Sequence, residues 1–346
     1  MSSTINERLA VVDALRAVAA TAVAVFHFTN GAPEFIGDWA IARWCMVGAH
    51  GVDVFFVISG FVIPWAMAVG GFHWRDAGRF LAKRIVRLDP PFFATIVLAL
   101  VASWASSQMP FYRGRPWALD VPLVLMHVGY LSAILGHGWI VPAFWTLAIE
   151  FQFYLSMILL FPLLARRESI GRFVSYAIAW AAGAACIGGS DPGHVWLAGY
   201  LPWFAAGWAT FQYRRGECSR ATYLALVTVS CALVTAESQL LQGALVAATA
   251  LLIAFARSAP AAMARFGALS YSLYLVHEPI GGRVVNLALR HAGREWWFVC
   301  GVFLLAMTTS IVAAWLLYRL VERPARDWAA AIHYAPRSPS TLGASS

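Results

Sequence analysis

A chain of 346 residues in which 60% are hydrophobic and 12% charged, with a mean hydropathy of +0.67, cannot hide its apolar surface in a water-soluble fold. The net charge of +8 would suit a nucleic-acid binder, yet every basic residue except Lys83 is Arg and the arginines fall in short clusters between apolar runs. That is how a multispanning membrane protein fixes its orientation, so the expected partner is the bilayer and no nucleic acid is expected. The five cysteines (Cys45, Cys186, Cys218, Cys231 and Cys300) have no CxxC spacing and offer neither a disulfide framework nor a zinc site, so no metal is expected.

The opening MSSTINERLA is polar and lacks the basic region, apolar core and cleavage site of a secretory signal, so the first apolar run is expected to stay as a membrane helix. A crossing helix needs about 20 mostly apolar residues. Runs of that kind lie at 9–29, 46–70, 88–108, 119–136, 144–165, 172–189, 193–212, 221–236, 239–256, 266–284 and 297–319. If all of them crossed, the arginine clusters at 75–87 and 166–172 would face opposite sides, against the positive-inside rule. The weakest run is 119–136, which holds Asp120, Pro122 and His127 and is followed by Gly136, Gly138 and Pro142. Read as a re-entrant segment, it leaves ten spans with both termini cytoplasmic. The basic residues from Arg75 to Arg87, Arg166 to Arg172, Arg214 to Arg220, and from Arg319 onward then lie inside, with Arg8, Arg257 and Arg265. Only Arg43, Arg113, Arg115, Arg283, Arg290 and Arg294 lie outside. The fold class is thus an all-α polytopic membrane bundle, with residues 1–328 as one transmembrane domain and 329–346 as a cytoplasmic tail, disordered from about Pro336. No internal repeat is evident.

Ionisable side chains inside a bilayer cost at least a few kcal/mol each and mark functional sites by default. Asp13, Arg16 and His27 fall in the first span, Asp53 in the second, Glu150 in the fourth, and His277 with Glu278 in the ninth. At about 1.5 Å per residue, Arg16 and His27 stand roughly 16 Å apart along one helix. Asp53 and Glu150 belong to spans entering from outside, which puts both in the outer stratum with His27. A carboxylate beside an imidazole holds its tautomer and suits it as a general base. The bland alternatives are an Asp13–Arg16 ion pair at i, i+3 spacing and a His27 that only hydrogen-bonds between helices. His50, His73, His137, His194, His291 and His333 fall at span ends or in loops and read as solvated or interfacial. In RDAGRFLAKRIVRLDPPFF, the residues Arg75, Arg79, Lys83, Arg84 and Arg87 recur at helical spacing, and Asp89-Pro90-Pro91 is expected to stop that helix at the membrane. The face would bind either anionic lipid head groups or the phosphates of a ligand, which Arg forks grip bidentately.

Several segments together resemble one family, the membrane-bound acyltransferase family 3. VVDALRAVAATAVAVFHF carries Arg16 and His27 in the family's R-x10-H pattern, and Gly51 to Ile63 (GVDVFFVISGFVI) is similar to its second-helix signature. Arg84 and Arg87 match its R-x-x-R motif, Phe144 to Leu155 (FWTLAIEFQFYL) its tryptophan and glutamate segment, and SYSLYLVHEPI and LVERPAR its late helix and closing motif. Phe151 stands where relatives often have a second acidic residue, and Glu278 follows His277 where an aromatic is frequent. The likeness runs from about residue 9 to 328. It implies acyl transfer, usually of acetyl from a coenzyme A thioester, to a hydroxyl that is commonly on a surface or exported carbohydrate. It implies His27 as the catalytic group with Glu150 or Asp53 orienting it, Arg84, Arg87 and Arg16 holding acetyl-CoA, and Trp145, Tyr274 and His277 near the substrate. With no esterase-like domain following, a stand-alone transferase of the cell inner membrane is expected. A macrolide-like small molecule offers the same kind of hydroxyl. A proton-coupled transporter uses the same buried ionisable residues, although transporters commonly show an internal symmetry that this sequence lacks. A non-catalytic scaffold would leave the buried charges unexplained.

Overall fold

The computed structural model describes residues 2–30, 40–110, 116–164, 169–187, 195–289 and 295–334. These residues form an all-α bundle, and no strand occurs among them. Helix α1 (Ser2–Thr29) is followed by a short α2 (Ala40–Cys45), a 3-10 turn (Met46–His50), α3 (Gly51–Gly70), α4 (Ala77–Ser107) and the short α5 (Val121–Val128). Next come α6 (Trp145–Leu164), α7 (Ser169–Cys186), α8 (Leu197–Arg214), α9 (Arg220–Glu237) and α10 (Leu240–Phe255). The chain closes with α11 (Ala261–Gly267), α12 (Ser270–Val276), α13 (Arg283–Ala288), α14 (Trp296–Leu317) and α15 (Arg323–Ala331). Single π-helical stretches, His277–Gly282 and Tyr318–Glu322, join α12 to α13 and α14 to α15.

Five stretches are long and apolar enough to cross a bilayer: Ala10–Thr29, Ala40–Gly70, Trp74–Ser107, Pro142–Pro162 and Trp296–Ala331. Beyond these five, the ten expected crossings rest on shorter or more polar helices, among them the apolar Phe173–Cys186 and Leu240–Phe255. The run at 266–284 is not one continuous α-helix, because the π stretch interrupts it. Helix α5 has 8 residues and so is about 12 Å long, too short to cross, as expected of 119–136. His127 ties this segment down: its Nδ1 bonds the Leu123 carbonyl at 2.7 Å and its Nε2 accepts the Ile140 amide at 3.1 Å. The arginine cluster at 166 and 167 and the tail from 335 lie outside the described residues.

One expectation is corrected. Helix α4 does not stop at Asp89-Pro90-Pro91 but runs through both prolines to Ser107. Each proline lacks an amide to return to the carbonyl four residues back. Packing holds the helix all the same: Pro91 and Phe92 are buried, Tyr130 donates to Asp89 at 2.9 Å, and Tyr271 donates to the Leu88 carbonyl at 2.9 Å. Helix α15 runs to Ala331, and Tyr334 beyond it packs on Phe72, with ring centroids 5.9 Å apart.

The centre of the bundle is a close crossing of α3 and α8. A Cβ placed on Gly60 would strike the Phe204 carbonyl, and one on Gly207 the Val57 carbonyl, so the two backbones touch where each helix has a glycine. Close approach at small residues is how membrane helices gain packing energy when lipid is as apolar as the helix surface. Around this crossing, Phe56, Phe153 and Phe204 form a buried aromatic core, with the last two stacked at 4.1 Å.

Candidate active site

Helix α1 carries one face of small buried residues, Ala17, Ala20 and Ala24, which lets it pack closely in the bundle and brings Arg16 and His27 to interior cavities. The segment facing His27 is the π stretch at His277. Pro279 has no amide for the Leu275 carbonyl, and the helix widens there by one residue, as membrane helices do around an internal proline. The wider turn directs two consecutive polar side chains at α1. Glu278 Oε1 lies 2.8 Å from His27 Nδ1, and Glu278 Oε2 accepts the Ala143 amide at 3.2 Å. His277 lies beneath, its ring centroid 5.0 Å from that of His27; its Nδ1 bonds the Tyr274 carbonyl at 2.7 Å, while its buried Nε2 has no partner. A nitrogen facing a carboxylate or a carbonyl must carry the hydrogen, so both rings present Nε2 as the basic atom. Ligand atoms of His27, His277 and Glu278 lie within 4.8 Å of one another, the only grouping among the described residues with the donor set for a metal.

Two cavities adjoin, and His27 lines the larger of them. The larger, of about 840 Å³, is walled by His27, His50, Asp53, Trp145, Trp203 and Glu237, among others. The smaller, of about 140 Å³, receives Arg16, Arg84, Arg87 and Arg326 together with Glu150 and Tyr154. Val52 and Tyr274 line both. The partition is fixed by hydrogen bonds: the Tyr274 hydroxyl donates to the Ala143 carbonyl at 2.9 Å and lies 2.7 Å from Thr146 Oγ1. On α6, Thr146, Glu150 and Tyr154 repeat every four residues and so share the face that lines the smaller cavity. Arg84 is 7% exposed, with its guanidinium 5.2 Å from the Phe80 ring and 5.6 Å from that of Tyr154, and its Nε lacks a partner. Neither Arg84 nor Arg87 enters an ion pair among the described residues, whereas Arg16 sits 3.5 Å from Asp13 at the i, i+3 spacing. A third cavity, of about 460 Å³, reaches His27 and Glu278 from the side of Arg283 and Asn286.

The structure therefore brings Arg16, Arg84 and Arg87 together, and gathers His27, Asp53, Trp145 and Tyr274 around one chamber. It does not bring Asp53 or Glu150 onto the His27 ring. Asp53 pairs with His50 at 3.2 Å, so His50 is part of the chamber wall instead of a solvated loop residue. Glu150 accepts from Ser59 at 2.7 Å and lines the arginine cavity, because α6 starts at Trp145 and five residues carry the chain roughly 7 Å deeper. His277 lies fully buried under His27 and lines neither chamber. The carboxylate on His27 is Glu278, which the sequence shows only as an acid inside an apolar run beside a histidine. The signal that could have found it is Pro279, which predicts a break in the helix there. His50 and Glu237 were equally unmarked, since both sit at the ends of apolar runs.

Comparison with known proteins identifies the family. A family described as an acyltransferase domain matches residues 9–315. An acyltransferase, MdmB, of Streptomyces mycarofaciens is 27% identical, with the alignment covering 92% of this chain and 91% of that protein. A putative membrane-bound transacylase, BcsY, of Komagataeibacter xylinus is 26% identical over 92% of this chain and 83% of its own length. No solved structure matches. A match from the first helix into α14, on a membrane bundle whose histidine–carboxylate pair stands at a large interior cavity, places this chain in the acyltransferase family and makes it a membrane enzyme that transfers acyl groups other than aminoacyl groups.

Proposed function

We propose that the protein moves an acetyl group from cytosolic acetyl-CoA to a hydroxyl of a carbohydrate, such as a surface polysaccharide, lipopolysaccharide or exported oligosaccharide, at the inner membrane with both termini in the cytosol. The observation that carries this reading is the His27–Glu278 pair at 2.8 Å, which stands at a chamber adjoining a cavity that gathers four arginines. Arg84 and Arg87 hold donor phosphates by charge-assisted hydrogen bonds, with Arg16 steadying the donor arm. The arm passes the Tyr274 partition and presents its thioester to the larger chamber, where Trp145 and Tyr274 flank the acceptor.

Glu278 fixes the hydrogen of His27 on Nδ1 and leaves Nε2 free to take the acceptor proton. The hydroxyl oxygen then bonds the thioester carbon, the carbon–sulfur bond breaks, and the coenzyme A thiolate leaves and takes up the proton held on Nε2. Glu278 stabilises the imidazolium in between. His277, buried behind His27, supports the ring from below and does not touch the acceptor.

The test compares His27→Ala with the wild-type protein, using acetyl-CoA binding by the purified proteins and mass spectrometry of surface glycans from cells expressing equal amounts. Donor binding should persist while transfer falls by about 10² to 10⁴-fold, the usual contribution of a positioned base. Near wild-type acetylation by His27→Ala at normal abundance would discard the assignment.

A further inference from the structure

The larger chamber has an electrical character that acyl transfer to a plain hydroxyl does not require. Among its described lining residues are the carboxylates of Asp53 and Glu237 and no Lys or Arg. Asp53 is 3% exposed, and its one close titratable neighbour is the imidazole of His50. Gln242 and Trp203 also lie within interaction range of that carboxylate. Trp203 is 2% exposed, with its indole N–H on the side of the Asp53 carboxylate. Glu237, at the last residue of α9, buries Oε2 without a partner. Keeping a buried carboxylate charged without a cation is costly, and a bound cation would offset that cost.

The walls have the complementary shape for such a cation. Trp145, Tyr200 and Trp203 stand in series, with ring centroids 5.5 Å and 5.7 Å apart. Aromatic faces attract an ammonium group and also stack on the apolar faces of sugar rings. The basic residues segregate elsewhere: Arg16, Arg84, Arg87 and Arg326 to the smaller cavity, and Arg283 to the third.

We infer that the acceptor bound in the larger chamber carries a protonated amine, so that the enzyme acylates a hydroxyl of an amine-bearing sugar or glycoside in preference to a neutral or acidic one. This deepens the acyl-transfer reading and rests on it. The ammonium sits between Glu237, Asp53 and the Trp145–Trp203 wall, and a hydroxyl of the same molecule reaches His27. The amine is held as a cation with no lone pair to attack, so the ester is the product. A carboxylate-bearing acceptor meets like charge.

The experiment uses the full chain in nanodiscs with acetyl-CoA and three probes that differ at one substituent: methyl glucosaminide, methyl glucoside and methyl glucuronide. Coenzyme A release gives transfer, tryptophan fluorescence gives binding, and lability to hydroxylamine separates ester from amide products. The glucosaminide should bind and react at least about ten-fold better than the glucoside, the scale expected for one desolvated charge pair, with the glucuronide last. Glu237→Gln should narrow the ratio of glucosaminide to glucoside by about ten-fold, a comparison within one protein that does not depend on its amount. If that variant fails to fold, shown by lost acetyl-CoA binding, the three-probe order in the wild-type protein decides alone. Equal binding of the amine and neutral probes, a reversed order, an amide product, or no probe bound while acetyl-CoA binds would each overturn the proposal. Failure of the underlying reading looks different: acetyl-CoA does not bind, or His27→Ala transfers normally.

Discussion

At the residue scale, the proposed chemistry turns on which carboxylate faces His27. Of the acids in the interior, Asp53 has His50, Glu150 has Ser59, and Glu278 has His27 and the Ala143 amide. In the proposed mechanism Glu278 is a positioning residue, so its loss should lower the rate of transfer without changing the affinity for donor. Glu278→Ala should reduce kcat by about 10² or more, while Glu278→Gln, which keeps an oxygen acceptor for the Nδ1 hydrogen, should recover part of that loss. Steady-state kinetics would check both, and a parallel loss of acetyl-CoA affinity would mean that Glu278 acts on the fold instead. The arginines give the opposite split. Each charge-assisted hydrogen bond contributes about 1.5 to 3 kcal/mol, so Arg84→Ala or Arg87→Ala should weaken acetyl-CoA binding by roughly ten-fold or more, measured by isothermal titration on the purified protein. If the pair only anchors lipid head groups, the double variant would bind acetyl-CoA normally and lose abundance.

At the scale of elements, two helices owe their placement to what they lack. The α3–α8 crossing depends on the absent side chains of Gly60 and Gly207, and the π stretch at His277 on the absent amide of Pro279. Gly207→Ala should push a methyl group into the Val57 carbonyl and destabilise the protein by about 1 to 3 kcal/mol, the usual cost of overpacking. Gly301→Ala is the matched control, because a Cβ there meets open space on α14, and alanine favours a helix over glycine by about 1 kcal/mol. Thermal unfolding in detergent should therefore move down for the first variant and stay level or rise for the second. Equal shifts would remove the close crossing as the reason for glycine at 207.

At the scale of the whole molecule, orientation follows from arginine placement. Positions near Arg79 should face the cytosol and positions near Ala118, which is exposed beyond α4, should face outward. Cysteines introduced at Arg79 and at Ala118 in a background without native cysteines should separate with a membrane-impermeant thiol reagent on intact cells. Labelling is expected at 118 and not at 79, and the reverse would invert the topology. On that topology the arginine cavity would open toward the cytosol and the larger chamber toward the outside, as the proposed soluble donor and exported acceptor require.

The sequence by itself determined the class of the molecule, because a surplus of apolar residues with clustered arginine admits few solutions besides a helical membrane bundle. It also determined that Arg16 and His27 share a helix at different depths, and that Arg84 and Arg87 share a face, since both follow from helical periodicity alone. The exclusion of 119–136 as a span was equally legible from Asp120, Pro122 and His127. Pairing between helices was not. Depth can be counted along a chain, but which of several acids meets an imidazole depends on helix rotation and on where a helix starts, and these are set by packing. Glu150 fell a turn and a half below Trp145 into the arginine cavity, Asp53 turned to His50, and a proline-widened turn swung Glu278 onto His27. The continuation of α4 through Pro90 and Pro91 has the same origin: local preference favours a stop there, and only neighbouring helices, through Tyr130 and Tyr271, supply the contacts that carry the helix past it.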